Sequence, residues 1–119
     1  MPNLALDRIN TRMRPQATEK EFASFVEAAL ALGGWEAWHH FDSRRTRKGF
    51  PDYFAMHPKL GRVALIELKT ARGYVSQEQK GCLNTASQIP QLEVYLWRPE
   101  HQDDLLRILC PHIAFVNRP

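Results

Sequence analysis

The chain has 119 residues, of which 44% are hydrophobic, 24% charged and 10% aromatic. These values are typical of one globular domain with one core, and they exclude a disordered, collagen-like or low-complexity protein. The formal net charge of +3 permits a polyanionic partner without requiring one.

Apolar runs and cysteines indicate the compartment. No apolar run approaches the ~18 residues that a membrane span requires, and Asp7 and Arg8 interrupt the first short run before it can form a signal-peptide core. Cys82 and Cys110 lie far apart and outside any CxxC motif, which predicts reduced thiols rather than a disulfide scaffold or a zinc site. We therefore expect a cytoplasmic protein with no membrane partner.

The first half of the chain predicts one helix followed by three strands. Residues 1–17 have no clear hydrophobic period and are interpreted as an arm. Thr18 and Glu21 have the spacing of a capping box, and Gly33-Gly34 is typical of a helix C-terminus, so a helix is predicted between them. Strands are predicted at 35–41, 52–57 and 62–69, separated by a polar loop and by a turn at 58–61.

The second half predicts a helix, a strand and a final helix. Ser76 and Gln79 form a second capping-box pattern, at the start of a helix that extends to about residue 87. A fourth strand is predicted at 92–97 and a last helix at 100–109, while residues 110–119 are a tail or a short edge strand. A crossover helix between the third and fourth strands completes a small α/β fold with helices packed on a sheet.

The predicted turn after His57 closes a hairpin that brings two acidic residues together. In a symmetric register His57 opposes Arg62, and continuing that register places Asp52 opposite Glu67. Lys69 lies two residues after Glu67 and therefore on the same face. A slip of one residue would separate the two carboxylates.

Opposed carboxylates on a partly buried face repel each other and lose hydration. A divalent cation between Asp52 and Glu67 would stabilise them, and carboxylate oxygens suit Mg²⁺, with Mn²⁺ as a substitute. The alternative interpretation is that both acids are solvated strand ends and that Lys69 is their ion-pair partner. The convergence of all three residues favours the metal site.

The acidic pair belongs to a wider pattern of motifs. Gly49-Phe50-Pro51-Asp52, followed by Ile66-Glu67-Leu68-Lys69, resembles the signature of the PD-(D/E)XK nuclease superfamily. The pattern is similar to the VRR-Nuc family in particular, in its small stand-alone phage and bacterial form, through Glu19 in the first helix and the segments 40–45, 73–79 and 94–99. The resemblance covers Thr18 to Pro99.

The resemblance implies a fold, a domain and a compartment. The fold is an α/β fold with a restriction-endonuclease-like αβββαβ core, in which helices flank a mixed sheet and a C-terminal helix follows. Residues 18–109 form a single nuclease domain, with the arm 1–17 before it and the tail or edge strand 110–119 after it. The protein is expected in the cytoplasm of a bacterium or of a phage-infected host cell.

The resemblance also implies metal-dependent hydrolysis of DNA phosphodiester bonds. The implied catalytic residues are Glu19, Asp52, Glu67, Lys69 and Gln79. The resemblance makes Asp52, Glu67 and the backbone carbonyl of Leu68 ligands of Mg²⁺. Glu19 supplies a further carboxylate, directly or through water.

Lys69 and Gln79 complete the implied machinery. Lys69 orients the attacking water or stabilises the charge that develops on the phosphorus centre. Gln79 lies in the helix after the motif and supports Lys69 or the site. Whether one metal ion or two take part is left open.

Two glutamates of the first helix compete for the role of the further carboxylate. Glu19 precedes Phe22 by three residues and Val26 by seven, so it shares their inward-facing stripe. Glu21 instead has the capping-box spacing to Thr18. We therefore assign Glu19 to the site and Glu21 to the cap. The alternative for both residues is that acidic side chains are simply favoured at the N-terminus of a helix.

A basic loop precedes the PD motif and is predicted to bind the DNA backbone. The predicted DNA-binding residues are Ser43, Arg44, Arg45, Arg47 and Lys48 in the loop, joined by Arg72 and Lys80 later in the chain. Such contacts position DNA without reading its sequence. A solvated loop is the alternative. His39 and His40 face opposite ways on one strand, and of the two His40 is the candidate to approach DNA, although a structural role is favoured.

The small stand-alone family members resemble Holliday-junction resolvases in size and layout. Two symmetric cuts at a four-way junction are supplied by a two-fold dimer. We therefore expect a Mg²⁺-dependent, structure-selective DNA endonuclease that acts as a homodimer on branched DNA. The alternatives are a catalytically silent DNA-binding module and a nuclease of the same fold that acts on flaps, nicks or single strands.

Overall fold

Four helices and four strands occupy residues 4–40 and 47–113, the part of the chain that this computed structural model describes. Their order is α1 (Leu4–Asn10), α2 (Glu19–Gly33), β1 (Glu36–His39), β2 (Tyr53–His57), β3 (Arg62–Leu68), α3 (Gln77–Ser87), β4 (Leu92–Trp97) and α4 (Gln102–Leu109). A short 3-10 helix at Pro99–His101 precedes α4. The predicted α/β class is confirmed, since helices flank a four-stranded mixed sheet and a helix follows the last strand.

The sheet has the strand order β1-β2-β3-β4. The first three strands form an antiparallel meander, whereas β4 runs parallel to β3. A parallel pair needs a crossover connection, which α3 supplies. The predicted hairpin register is confirmed, because His57 pairs with Arg62 and Tyr53 with Ile66. The β2–β3 ladder ends at that last pair, so Asp52 and Glu67 are the next residues along the two strands.

The core lies between one face of the sheet and the helices α1, α2 and α4. Its buried side chains include Phe22, Phe25, Ala64, Ile66, Leu105 and Leu109. The opposite face of β3 is also covered, because Leu65 and Glu67 are buried next to α3. Strand β3 is thus buried on both faces, as its sequence predicts, and Glu67 places a carboxyl group inside it.

Both predicted capping boxes are present. The side chain of Thr18 accepts from the Glu21 N–H while the Glu21 carboxylate accepts from the Thr18 N–H, and Ser76 and Gln79 repeat this exchange. Gly34 ends α2 with a φ of 86°, a left-handed conformation that glycine adopts without strain. These caps fix the first turns of α2 and α3 beside the sheet.

The N-terminal segment differs from its prediction. Residues 1–17 are predicted to be an arm, but Leu4–Asn10 form α1, and Ile9 is fully buried in the core. The side chain of Gln102 also ties the segment to α4, since its carbonyl oxygen accepts from the Met13 N–H at 2.6 Å. A two-turn helix with one deeply buried residue has too short a hydrophobic period to be predicted from the sequence.

Several strand and helix ends also differ. β1 spans Glu36–His39, and Trp35, predicted as its first residue, turns into the core and donates its indole N–H to the Leu109 carbonyl at 2.9 Å. Residue 41, the predicted end of this strand, lies outside the described residues. β2 begins and β3 ends one residue inside the predicted bounds. The last helix begins at Gln102 because its first turn is a 3-10 helix.

The C-terminal segment is only partly covered by the described residues. Cys110 does not belong to a tail, since it is fully buried and its thiol lies 3.1 Å from the Ala29 carbonyl oxygen. Residues 114–119, with most of the predicted edge strand, lie outside the described residues. Cys82 and Cys110 are free thiols, as predicted. Within residues 4–40 and 47–113, no helix combines the length and the apolar character needed to cross a bilayer.

Candidate active site

Asp52 is fixed at the end of the hairpin by two backbone hydrogen bonds. Its carbonyl oxygen accepts from the His40 N–H at 2.6 Å, and its carboxylate Oδ2 accepts from the Leu68 N–H at 2.8 Å. The Asp52 carboxylate thus replaces a backbone carbonyl as the acceptor for β3, just beyond the last β2–β3 pair. This bond holds Asp52 against β3 at the residue that follows Glu67.

Glu67 is a buried acid on β3. It is 1% exposed. Its Oε2 accepts from the Gln79 amide at 2.9 Å and lies 3.3 Å from the Lys69 ammonium nitrogen. Its Oε1 is buried and has no hydrogen-bond partner among the described residues. An unpartnered buried carboxylate oxygen is costly for the folded state, and it is the kind of atom that a bound cation would stabilise.

The pKa values of both acids are raised. Burial, reinforced by the charge of Asp52, raises the pKa of Glu67 to about 7, although Lys69 opposes the shift. Burial also raises the pKa of Asp52, while the hydrogen bond from Leu68 opposes the shift and the nearby charge of Glu19 adds to it. Neighbouring acids whose pKa values are both raised are typical of functional sites.

Gln79 connects the helix cap to the acidic pair. Its amide oxygen accepts from the Ser76 N–H at 2.9 Å, which completes the cap of α3. Its amide nitrogen donates to Glu67. One polar atom of Gln79 thus serves the helix cap while the other bonds the buried carboxylate.

Glu19 and Glu21 have separate surroundings. Glu19 is the first residue of α2 and is exposed. It lines a cleft of about 610 Å³ together with Asp52 and Leu68. Glu21 is engaged in the cap and pairs with Arg14 at 3.0 Å, as the capping pattern predicts. The structure therefore brings Glu19, rather than Glu21, towards Asp52.

His39 is a residue of this cleft that the sequence interpretation missed. It lines the same cleft as Asp52, and its ring stacks on Tyr53 with centroids 4.5 Å apart. The Tyr53 hydroxyl donates to the Glu27 carboxylate. The β1–β2 register brings His39 to this cleft, because it pairs with Tyr53, the residue that follows Asp52.

His40 and the basic residues lie elsewhere. His40 packs edge-on against Phe50, with ring centroids 5.2 Å apart. Arg47 and Lys48 are exposed and line a second cleft of about 510 Å³ beside α3. Arg72 and Lys80 are exposed, whereas Ser43, Arg44 and Arg45 lie outside the described residues. Arg47 and Lys48 thus line a different cleft from the one that Glu19, Asp52 and Leu68 line.

The segment after β3 is held by Arg98 at the end of β4. The Arg98 guanidinium donates to the carbonyl oxygens of Thr70 and Gly73, at 2.6 and 2.9 Å. The Lys69 N–H donates to the Trp97 carbonyl at 2.9 Å. These bonds fix the backbone that carries Lys69.

Among residues 4–40 and 47–113, no group of three or more histidine, cysteine, aspartate or glutamate side chains is placed to hold a metal. The charge of Asp52 acts on Glu67, and Glu19 lines the cleft beside Asp52.

The chain matches no protein-family model, and it has no match among curated proteins or solved structures.

Proposed function

We propose that the protein is a Mg²⁺-dependent, structure-selective DNA endonuclease of the PD-(D/E)XK type and VRR-Nuc family, with a restriction-endonuclease-like fold. One observation carries the proposal: the buried carboxylate of Glu67 has an oxygen without a hydrogen-bond partner among the described residues and lies beside Lys69 and Asp52. The order of helices and strands around it is the αβββαβ order that the family resemblance implies.

The acidic pair fits a hard divalent cation. Mg²⁺ prefers carboxylate and carbonyl oxygens and keeps several water ligands, so it does not need three protein carboxylates. Asp52, Glu67 and the Leu68 carbonyl would hold it, with Glu19 contributing directly or through water, and Mn²⁺ would substitute. When bound, Mg²⁺ lowers the pKa of water and neutralises charge on phosphate oxygens.

The neighbouring side chains have distinct roles. The Lys69 ammonium lies next to Glu67, where it orients the attacking water or stabilises negative charge on the phosphate in the transition state. Gln79 is a positioning residue, because its amide holds one oxygen of Glu67, while the other oxygen has no hydrogen-bond partner among the described residues.

The substrate we propose is branched DNA, with a four-way junction as the first candidate. Arg47 and Lys48 are exposed cations just before the PD motif and suit contacts to phosphates. A homodimer with two-fold symmetry would make two equivalent cuts across a junction.

Metal-dependent cutting of branched DNA tests the proposed function. We expect the protein to cut a synthetic four-way junction at paired symmetric positions in Mg²⁺ or Mn²⁺, and to leave it intact in EDTA. Plain duplex of the same sequence should be cut far more slowly. Binding of the junction without metal-dependent cutting would contradict the proposal and would favour a silent DNA-binding module.

The Gln79→Glu variant tests the positioning role. The substituted side chain keeps an oxygen for the Ser76 cap but replaces the donor to Glu67 with a second negative charge, which raises the pKa of Glu67 further. We expect the acidic limb of the cleavage pH profile to move upward and cleavage at pH 7 to fall ~10-fold or more.

Gln88→Glu is the matched control, because Gln88 is exposed at the other end of α3. Its pH profile should match that of the wild type. An unchanged profile for Gln79→Glu would show that Gln79 serves the helix cap alone.

A further inference from the structure

The second cleft, lined by Arg47 and Lys48, lies between α3 and the segment that precedes the PD motif. Its volume is about 510 Å³, within the ~300–1,000 Å³ of typical small-molecule sites. Much of its lining is apolar: Phe50, Leu65, Cys82, Ala86, Ile89 and Leu92. Glu78 also lines it, so the two cations face one carboxylate.

Gly49 lies between Lys48 and Phe50, which both line this cleft. Its φ is 98°, and a Cβ at this position would lie 2.3 Å from the carbonyl oxygen of Glu78. The segment that carries Arg47, Lys48 and Phe50 therefore packs directly against the first turn of α3. A residue with a side chain at position 49 would push this segment away from the helix.

The residues that line the cleft are close neighbours, along the chain, of the residues of the candidate active site. Phe50 lies two residues before Asp52 in the chain, and Leu65 lies two residues before Glu67 on the same face of β3. Glu78 directly precedes Gln79, which bonds Glu67. A nucleotide whose phosphate is held at the acidic pair would thus have its neighbouring base next to the cleft.

The cleft presents apolar surface to solvent. Phe50 is 40% exposed and Ile89 48% exposed, and the ring of His40 packs edge-on against Phe50. An exposed aromatic ring can stack on any of the four bases. Arg47 and Lys48 supply the positive charge that the phosphates on either side of such a base require.

We propose that this cleft binds an unpaired nucleobase next to the scissile phosphate. The inference rests on the proposed nuclease function and deepens it, since it names what the enzyme selects. A base within a duplex is stacked and paired and cannot enter the cleft unless it is flipped out. Substrates with an unpaired or easily unstacked nucleotide at the cut are therefore preferred over continuous duplex.

Cys82 provides a direct probe of the cleft. The chain has two cysteines, and Cys110 is fully buried, whereas Cys82 is partly exposed and lines the cleft. The rate of Cys82 alkylation by iodoacetamide is measured by mass spectrometry in EDTA, so that DNA is not cut. Fluorescence anisotropy on the same samples measures how much DNA is bound. The probes are a duplex with a one-nucleotide bulge and the fully paired duplex of equal length.

The bulged duplex, at ten times its Kd, is expected to slow alkylation about tenfold. The paired duplex at the same saturation should leave the rate unchanged. Saturated binding of the bulged duplex without protection would overturn the inference and leave DNA binding intact. Equal protection by both duplexes would overturn the preference for an unpaired base. Protection that grows with protein concentration without DNA would assign the cleft to a second copy. If neither duplex binds, the proposed function fails and the inference fails with it.

A filled cleft gives a second, independent reading. Thr85 lines the cleft on the exposed side of α3, so Thr85→Trp should occupy it, and Asn84→Trp places the same side chain at an exposed neighbour outside it. We expect Thr85→Trp to weaken binding of the bulged duplex about tenfold and to leave the paired duplex unaffected. Asn84→Trp should change neither. Equal affinities of Thr85→Trp and wild type for the bulged duplex would contradict the inference.

Discussion

Asp52→Asn is expected to reduce metal-dependent DNA cleavage by ~10²–10³-fold or more. The substituted side chain retains an oxygen that can accept the Leu68 N–H, so the end of the hairpin should keep its structure. It lacks the negative charge that a divalent cation requires. The loss should therefore appear in catalysis and metal binding rather than in folding.

Two readouts separate these effects. Cleavage of the four-way junction is followed at a fixed Mg²⁺ concentration, and the melting temperature is compared with and without Mg²⁺. The wild type should be stabilised by Mg²⁺ because the ion binds the folded state alone, whereas Asp52→Asn should not. Asp104→Asn is the matched control, since Asp104 is an exposed partner of Arg107 on α4. Wild-type cleavage by Asp52→Asn would remove Asp52 from the site.

Glu67→Gln is expected to make the folded state less sensitive to rising pH. Burial raises the pKa of Glu67 to about 7 from its ordinary 4.5, so between these values the folded protein holds a proton that the unfolded chain has lost. The stability of the wild type therefore falls as the pH rises through this window. A glutamine at position 67 does not titrate and removes this contribution.

The measurement is the difference in stability between variant and wild type, in EDTA, at pH 5 and at pH 8. We expect the difference to shift in favour of Glu67→Gln by an amount on the order of 1–3 kcal/mol. Adding Mg²⁺ at pH 8 should restore part of the wild-type stability and leave the variant unchanged. A difference that stays constant from pH 5 to pH 8 would contradict a raised pKa for Glu67.

Glu93→Gln is the control for the pH experiment. Glu93 accepts two hydrogen bonds from Arg62 on the same sheet, and these lower its pKa. Because that carboxylate is ionised in both states above its ordinary pKa, the effect of Glu93→Gln should be the same at pH 5 and pH 8.

Asp52→Asn and Glu67→Gln both test whether the acidic pair lowers the stability of the free protein in order to bind a cation. Glu67 combines burial, an oxygen without a hydrogen-bond partner among the described residues, and a charged neighbour in Asp52. Each feature destabilises a folded protein, and a bound cation would offset this cost by coordinating the free oxygen and neutralising the two negative charges. We therefore expect the free protein to be most stable where Glu67 is protonated and the metal-bound protein to be stable at higher pH.

The features predicted from the sequence are those that short-range interactions decide. The capping boxes at Thr18 and Ser76 depend on residues three apart, so their spacing specifies them. The register of the hairpin follows from a short turn, in which Gly61 adopts a φ of 64°. Asp52 and Glu67 could be brought together from the sequence because one turn determines where both lie.

The features that were missed depend on long-range packing. His39 reaches the cleft of Asp52 through the β1–β2 register, and a long polar loop separates these strands, so no turn specifies that pairing. Helix α1 is held by the burial of Ile9 in the core, and the segment after it by the hydrogen bond from the Met13 N–H to Gln102 of α4. The cleft beside α3 exists because Gly49 lets two distant segments approach closely.

A crystal soaked in Mn²⁺ tests the central claim most directly, because anomalous scattering locates this ion independently of activity. We predict a peak within bonding distance of the Asp52 and Glu67 carboxylates and of the Leu68 carbonyl oxygen, and no such peak in crystals of Asp52→Asn. A Mn²⁺-soaked wild-type crystal with no peak at these oxygens, or with the two carboxylates too far apart to share an ion, would contradict the account.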